Sequence, residues 1–227
     1  MANNVTFTKS APASSANNIA VSQSPGAGAI ILNGSTVTNG VATIDTASAT
    51  NSAAGLRVLI TSGSSDAGIN FTVNGTNASG STISDTFAGG ATTAQSNLDF
   101  VTVTSVTHTG SVASTITIGT SGVGSSPWQT MNWQNSAPMN ISVAVELVSG
   151  SATYTVQYTY DDPNNLVAGV VFPLALSLLT PSALGGPSTP AAATADGLFN
   201  FPLIAVRLLI NSGTGALRAR IVQSGIG

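Results

Sequence analysis

Apolar and polar residues alternate in short segments along most of the chain, and this two-residue period constrains the fold more than any other feature. Clear examples are INFTV at Ile69–Val73, ISVAVEL at Ile141–Leu147 and YTVQYTY at Tyr154–Tyr160. Successive side chains of a β-strand point to opposite faces, so the period predicts strands. Val, Ile and Thr are abundant, and β-branched side chains suit a pleated surface. The sequence therefore predicts an all-β fold.

Gly, Asn and Ser turns separate the candidate strands at roughly the spacing of a sandwich or barrel. Asn74-Gly75 and Ser79-Gly80 bracket a turn typical of a hairpin. Near the end of the chain, Ile204–Ile210 and Leu217–Ile221 flank the turn NSGTG, which predicts a second hairpin with one apolar face. The strands predicted in the first half are Ile30–Leu32, Val41–Ile44, Leu56–Thr61, Ile69–Val73, Thr82–Phe87, Phe100–Thr107 and Thr115–Ile118.

A Gly- and Ser-rich stretch, GTSGVGSSP at Gly119–Pro127, separates two patterned regions of similar length. It predicts a linker between two domains, residues 1–122 and 123–227, each a β-sandwich or jelly roll with long loops. Residues 180–198, TPSALGGPSTPAAATADGL, predict a long loop or an arm that reaches a neighbouring chain. The apolar run Leu166–Leu179 beside it favours an arm that becomes ordered on assembly.

Charge is scarce, because the chain has five Lys or Arg and eight Asp or Glu among 227 residues. A typical globular domain places about a quarter of its residues in these four types. Ser, Thr, Asn and Gly supply neutral polarity instead, which favours a protein that packs against other proteins. So few cations exclude binding of nucleic acid by phosphate neutralisation. The run Leu166–Leu179 contains Pro173 and is too short to span a bilayer, so no membrane association is expected.

The residue types that carry catalysis are nearly absent from the sequence. His108 is the only histidine and Asp99 is the only acid near it in sequence, so His108 is predicted to be a surface or turn histidine. Asp161 and Asp162 are the only adjacent acids; they are either solvated turn residues or part of a hard-cation site. The chain has no cysteine and no phosphate-binding or nucleophile-elbow motif. We therefore expect no enzymatic activity, no cofactor and no metal.

A few arginine, tryptophan and large apolar residues are candidates for an interface. Arg207, Arg218 and Arg220 would share one face of the predicted C-terminal hairpin, either as a solvated face or as a guanidinium row that binds acidic groups of a partner. Trp128 and Trp133 follow the predicted linker, where they either fill the gap between domains or anchor a partner. Further candidates from the apolar run are Phe172 and Leu174.

Four stretches spread along the chain resemble virion structural proteins of tailed bacteriophages: Ile69–Phe87, Phe100–Trp128, Ala152–Asn164 and Pro202–Gly225. The resemblance implies a non-enzymatic particle protein, made in the host bacterial cytoplasm and located in the virion. Its partners would be the major capsid protein or other virion proteins. It implies first a capsid decoration, or cement, protein that stabilises the head shell, and a homo-oligomer with a trimer favoured.

Three alternatives stay open at this stage. One is a tail, fibre or head-to-tail connector component of the same particle. Another is a carbohydrate-binding adhesion module, for which Trp128 and Trp133 with the amides of Asn132 and Gln134 would supply part of a site. The weakest is a hydrolase that uses only acidic residues.

Overall fold

The computed structural model describes residues 3–47, 54–132, 140–163, 174–175, 191–199 and 201–224. These ranges contain eighteen β-strands and no helix, which confirms the all-β prediction. The chain divides into two compact units. The N-terminal unit comprises Pro12–Thr46 and Ala53–Gly124, and the C-terminal unit comprises Met1–Ala11, Ala47–Ser52 and Ser125–Gly227.

The N-terminal unit is a sandwich of two antiparallel sheets. In one sheet the strand order is β4-β5-β10-β7-β8, with β3 also paired to β10, and in the other it is β2-β11-β6-β9. The bounds are β2 Ser15–Gln23, β3 Gly28–Ala29, β4 Val37–Thr38, β5 Val41–Thr43, β6 Leu56–Ser62, β7 Asn70–Thr76, β8 Thr82–Ala88, β9 Thr93–Gln95, β10 Thr102–His108 and β11 Ile116–Ser125.

The core of this unit lies between its two sheets, because every second residue of each strand points inward. Phe71 and Val73 of β7 are fully buried, and Val58 of β6 and Ile118 of β11 meet them from the other sheet. The predicted β7–β8 hairpin is confirmed, with Phe71 opposite Phe87. Its turn is closed by the Asn77 side-chain oxygen, which accepts from the backbone N–H groups two and four residues later.

The C-terminal unit is a second sandwich. One sheet has the order β1-β18-β13-β16, and the other has the order β15-β14-β17 with β12 also paired to β17. The bounds are β1 Asn3–Ser10, β12 Gln129–Thr130, β13 Asn140–Ser149, β14 Ala152–Thr159, β15 Leu174–Ala175, β16 Ala195–Phe199, β17 Ala205–Gly213 and β18 Ala216–Ser224.

Alternating residues of β13 and β14 form much of this second core. Ile141, Val143 and Val145 of β13 are buried, as the period-two pattern predicts. On β14 both faces are buried over most of its length, because Thr155, Gln157 and Thr159 are buried on the side opposite Tyr154. The alternation of β14 therefore identified a strand correctly but not a solvated face.

The predicted hairpin of β17 and β18 is wrong. Strand β17 pairs with β14, whereas β18 pairs with β1 and β13 in the other sheet. The turn after Gly213 thus carries the chain from one sheet of the sandwich to the other, and Ser151, in the β13–β14 turn, accepts backbone bonds from Thr214 and Gly215. Apart from Ile204, which is half-buried and precedes β17, the predicted apolar residues are buried, but they reach the core from opposite sides.

The division between the units falls inside the predicted boundary stretch Gly119–Pro127, but most of that stretch is a strand and not a linker. Ile116–Ser125 is a ten-residue strand, β11, and the division between the units falls after Gly124. Its glycines allow close packing, because a Cβ on Gly119 would overlap the carbonyl oxygen of Ser15 in β2, and one on Gly124 would press on Leu56. Glycine content therefore reflects strand contact here, not a flexible connection.

Other predicted boundaries change where long-range pairing decides them. Strand β1 belongs to the C-terminal unit because all eight of its residues pair with β18, so residues 1–122 are not one unit. In the predicted loop 180–198, residues 195–198 belong to β16, which pairs with β13. Residues 176–190 lie outside the described residues. Ile30–Leu32 is not a strand; the pairing occurs at Gly28–Ala29.

Candidate binding surfaces

Arg207 is held on the outer side of β17 by three neighbours in the C-terminal unit. Its Nε donates to Oε1 of Gln157 at 2.9 Å, and its Nη1 donates to Oγ of Ser125 at 3.0 Å. The guanidinium carbon lies 4.7 Å from the centroid of the half-buried Trp128 ring, a cation–π geometry. Arg207 and Trp128, both interface candidates, therefore meet in one cluster, and Arg207 covers one ring face that a sugar would need for stacking.

Arg218 and Arg220 lie on the opposite side of the same sandwich, on the outer face of β18. Each contributes a guanidinium nitrogen 3.4 Å from Oε2 of Glu146, their neighbour on β13. The three side chains are 37% to 52% exposed, so these ion pairs stabilise the fold by less than about 1 kcal/mol. The predicted row of three arginines does not form, because β17 and β18 belong to different sheets.

The remaining interface candidates cannot be placed in a site. Trp133 and Phe172 lie outside the described residues. The backbone of Leu174 is in β15, opposite Tyr158 of β14.

A neutral polar surface that sequence reasoning did not single out covers the outer face of the six-stranded sheet. Thr72 and Thr86 share a hydroxyl hydrogen bond at 2.8 Å, and Thr76 and Thr102 share one at 2.7 Å. Between these rungs, the Asn74 amide donates to a serine hydroxyl of β10 at 3.0 Å. We call this surface the hydroxyl ladder; it comprises Thr72, Asn74, Thr76, Thr82, Ser84, Thr86, Thr102, Ser105 and Thr107. The sequence signal was the Thr, Ser and Asn residues at alternate positions of three strands.

Half of the acidic residues are buried, and they bind backbone or arginine groups. Asp45 accepts from the N–H groups of Ala54 and Gly55, and Asp85 accepts from those of Asn97 and Leu98. The other two buried acids also have partners. Asp66 accepts a hydrogen bond from the Ala113 N–H, and an oxygen of Asp99 lies 3.5 Å from Nε of Arg57. The few carboxylates of the N-terminal unit thus stabilise its loops through hydrogen bonds and an ion pair.

His108 is buried at the end of β10, so the predicted surface position is wrong, although the turn after it is present. Its Nδ1 donates to the carbonyl oxygen of Gly110 at 2.6 Å, and its ring centroid lies 5.9 Å from that of Phe71. Asp99, the nearest acid in sequence, is engaged with Arg57. His108 therefore has the environment of a core histidine that closes a turn.

Asp161 and Asp162 follow β14 in a bend, where the Asp161 N–H donates to the Thr159 hydroxyl and Asp162 is exposed. Within the described residues, no three His, Cys, Asp or Glu side chains are grouped in a way that would hold a metal ion. Nor do those residues include a helix with the length and apolar character needed to cross a membrane.

Comparison of the chain with protein-family models, with curated protein sequences and with solved structures yields no match in any of the three.

Proposed function

We propose that this chain is a capsid decoration protein of a tailed bacteriophage, a non-enzymatic protein that binds the head shell and stabilises it. The observation that carries the proposal is the hydroxyl ladder, a neutral and internally hydrogen-bonded sheet face on the N-terminal unit. The partner would be the major capsid protein, and the site of action the virion. The sequence resemblance to virion structural proteins of tailed phages supports the same class.

The ladder suits docking against another protein for two physical reasons. Six of its nine side chains bond in pairs across the strands at 2.7–3.0 Å, so the geometry of these six is set before a partner arrives. None of its nine members carries a charge, so covering the face requires no ion to lose its hydration. A pre-organised, neutral surface binds by shape and dispersion contacts that repeat well on a lattice.

The use of charge inside the N-terminal unit points the same way. Its four acidic residues are buried in bonds to backbone N–H groups or to Arg57. These bonds stabilise the loops of the unit without disulfides, as a protein assembled on a particle requires. They also leave the ladder without charged side chains. Trp128, the other feature considered for ligand binding, is occupied by Arg207 on one ring face, and this disfavours the carbohydrate-binding alternative.

The decisive experiment measures the number of copies of this chain per purified phage particle, relative to the major capsid protein, by quantitative mass spectrometry. A fixed ratio that corresponds to hundreds of copies is the expected result. A few to a few dozen copies would instead assign the chain to the tail or the connector. Absence of the chain from particles would overturn the proposal.

Introducing charge tests the ladder itself. Because Thr86 is an exposed member of the ladder on the edge strand β8, Thr86→Lys should reduce binding to shells that lack the chain at least tenfold, since the ammonium must be desolvated. Thr115→Lys is the matched control, an exposed threonine of the same unit outside the ladder, and should bind as the native chain does. Native-like binding of Thr86→Lys would exclude the ladder as the docking face without affecting the copy-number result.

A further inference from the structure

The second outward-facing sheet, in the C-terminal unit, carries a charged and apolar pattern that the proposed function does not use. Residues of β1, β18, β13 and β16 that point away from the core form rows across the strands. Val222 and Leu198 are 37% and 47% exposed, which is high for large apolar side chains in a sheet. We call this surface the outer face; its rows are Asn4–Val222–Ser142–Leu198, Thr6–Arg220–Ala144–Asp196 and Thr8–Arg218–Glu146.

The charges of the outer face balance, but they do not all pair within the chain. Arg218 and Arg220 both contact Glu146, whereas Asp196 is exposed and has no ion-pair partner among the described residues. Asp196 and Arg220 lie on either side of Ala144 in one row. Their backbones are two strand spacings apart, about 10 Å, and the Arg220 side chain contacts Glu146 instead of Asp196. The face therefore has two arginines and two acids, and one of the two acids, Asp196, is not paired within the chain.

From this arrangement we propose that the outer face binds the outer face of a second copy of this chain. The two copies would be related by a two-fold axis that is parallel to β13, lies midway between the two faces and passes over Ala144. That axis places β18 of each copy over β16 of the other. Arg220 then faces Asp196 of the second copy, and Val222 faces its Leu198, and each contact occurs twice. The charge pattern is thus complementary to itself, as an isologous interface requires.

The residues on the axis permit the close approach that two packed sheets need. Ser142 and Ala144 are small and exposed, so two sheets can stack at the usual spacing of about 10 Å. Glu146 also lies near the axis, but each copy holds it between its own Arg218 and Arg220, which offsets repulsion between the two carboxylates.

This geometry favours a two-fold pair in place of the trimer that the resemblance to virion proteins implied, because a face complementary to itself closes after two copies. The proposed pairing of two copies is independent of the proposed function, because the number of copies on a particle does not report which face joins two chains. Binding of a different protein to the outer face would need no such symmetry, and the experiment below separates the two.

The test is a charge exchange followed by analytical ultracentrifugation of the purified chain. Asp196→Arg places two arginines opposite each other in the pair, and Arg220→Asp places two aspartates there, so each variant alone should be monomeric. Mixed in equal amounts, the two variants should form a heterodimer, because both cross-axis contacts then join unlike charges. The native chain should be dimeric. Asp162→Arg is the control, an exposed acid outside the outer face that changes net charge equally, and should dimerise normally.

Circular dichroism of each variant checks that the fold is retained, and the heterodimer itself shows that both variants are folded. A native chain that is monomeric up to about 1 mM, the weak end of specific association, would overturn the proposal. Trimers, dimeric single variants, or a mixture that stays monomeric would overturn it as well.

Discussion

Buried carboxylates show at the residue scale how a chain with so little charge uses it. Asp85 points from β8 toward the core side and accepts from two successive backbone N–H groups at 2.5 and 3.1 Å. Asp45 does the same for the segment that precedes β6. A carboxylate that accepts two N–H bonds satisfies donors that would otherwise be buried without a partner. These residues therefore stabilise loops, and their role is visible only once the loops are placed in space.

Tyr154 gives the molecule a measurable dependence on alkaline pH. Burial raises its pKa to about 12, from the ordinary value of about 10, and its hydroxyl donates to the Ala193 carbonyl at 2.7 Å. Below pH 10 the phenol is protonated in both states and its contribution to stability is complete. Between about pH 10 and 12 only the unfolded chain ionises, so the free energy of unfolding should fall by about 3 kcal/mol.

Urea unfolding at a series of pH values checks this expectation. Tyr154→Phe should cost about 1 kcal/mol at neutral pH, through the lost hydrogen bond, but should remove most of the alkaline loss. In this variant a smaller alkaline decrease in the free energy of unfolding should remain, due to Tyr158, whose pKa is raised by burial and by neighbouring Tyr160. Tyr160→Phe is the control, and in this variant the decrease in the free energy of unfolding that is due to Tyr154 should be unchanged. An unchanged pH profile in Tyr154→Phe would contradict the assignment.

At the scale of a single element, strand β11 shows that a glycine-rich segment can be either a flexible connection or a closely packed strand. In sequence, GTSGVGSSP has the composition of a flexible connection. In the structure, Gly119 lets the carbonyl of Ser15 approach β11 more closely than a side chain would allow. Composition cannot separate these cases, because close approach depends on a strand that lies about a hundred residues earlier in the chain.

Gly119→Ala tests the close-packing role of β11. The added methyl would overlap the backbone of β2, so we expect a loss of about 3 kcal/mol or more in the free energy of unfolding. Gly26→Ala is the matched control, because a Cβ there meets no atom within 4 Å, and it should change stability little. Chemical denaturation measures both. Equal stability of the two variants would show that β2 shifts to accommodate the methyl.

The error at β17 and β18 has a related physical cause. Alternation in Val206–Ile210 and Leu217–Ile221 predicted correctly the residues that face the core, although Leu209, on the other face of β17, is buried as well. It contains no information on whether two consecutive strands bond to each other or face each other across a core, since both arrangements hide the same residues. The difference moved Arg207 to one side of the sandwich and Arg218 and Arg220 to the other, and so changed the candidate sites.

Weak dependence on salt is the expectation for the whole molecule. The exposed ion pairs of the described residues centre on Glu146, and the formal net charge is only −3. Exposed pairs contribute little and are screened by salt, so little stability depends on them. Thermal and urea unfolding between about 0.05 and 0.5 M NaCl should therefore change the free energy of unfolding by less than about 1 kcal/mol. A change several times larger would indicate a charged network that these residues do not explain.

Local pattern sufficed for the all-β class, for most strands, and for the inward residues of β7 and β13, because side-chain direction in a strand follows from the period alone. The alternating Thr and Asn residues that form the hydroxyl ladder were also present in the sequence, but their bonding required three strands in register. Strand partners, the placement of β1 with β18, the separation of the arginines and the rows of the outer face were decided by tertiary structure. Those features depend on contacts between residues far apart in the chain, whose pairing is selected by burial of a whole core and not by any short segment.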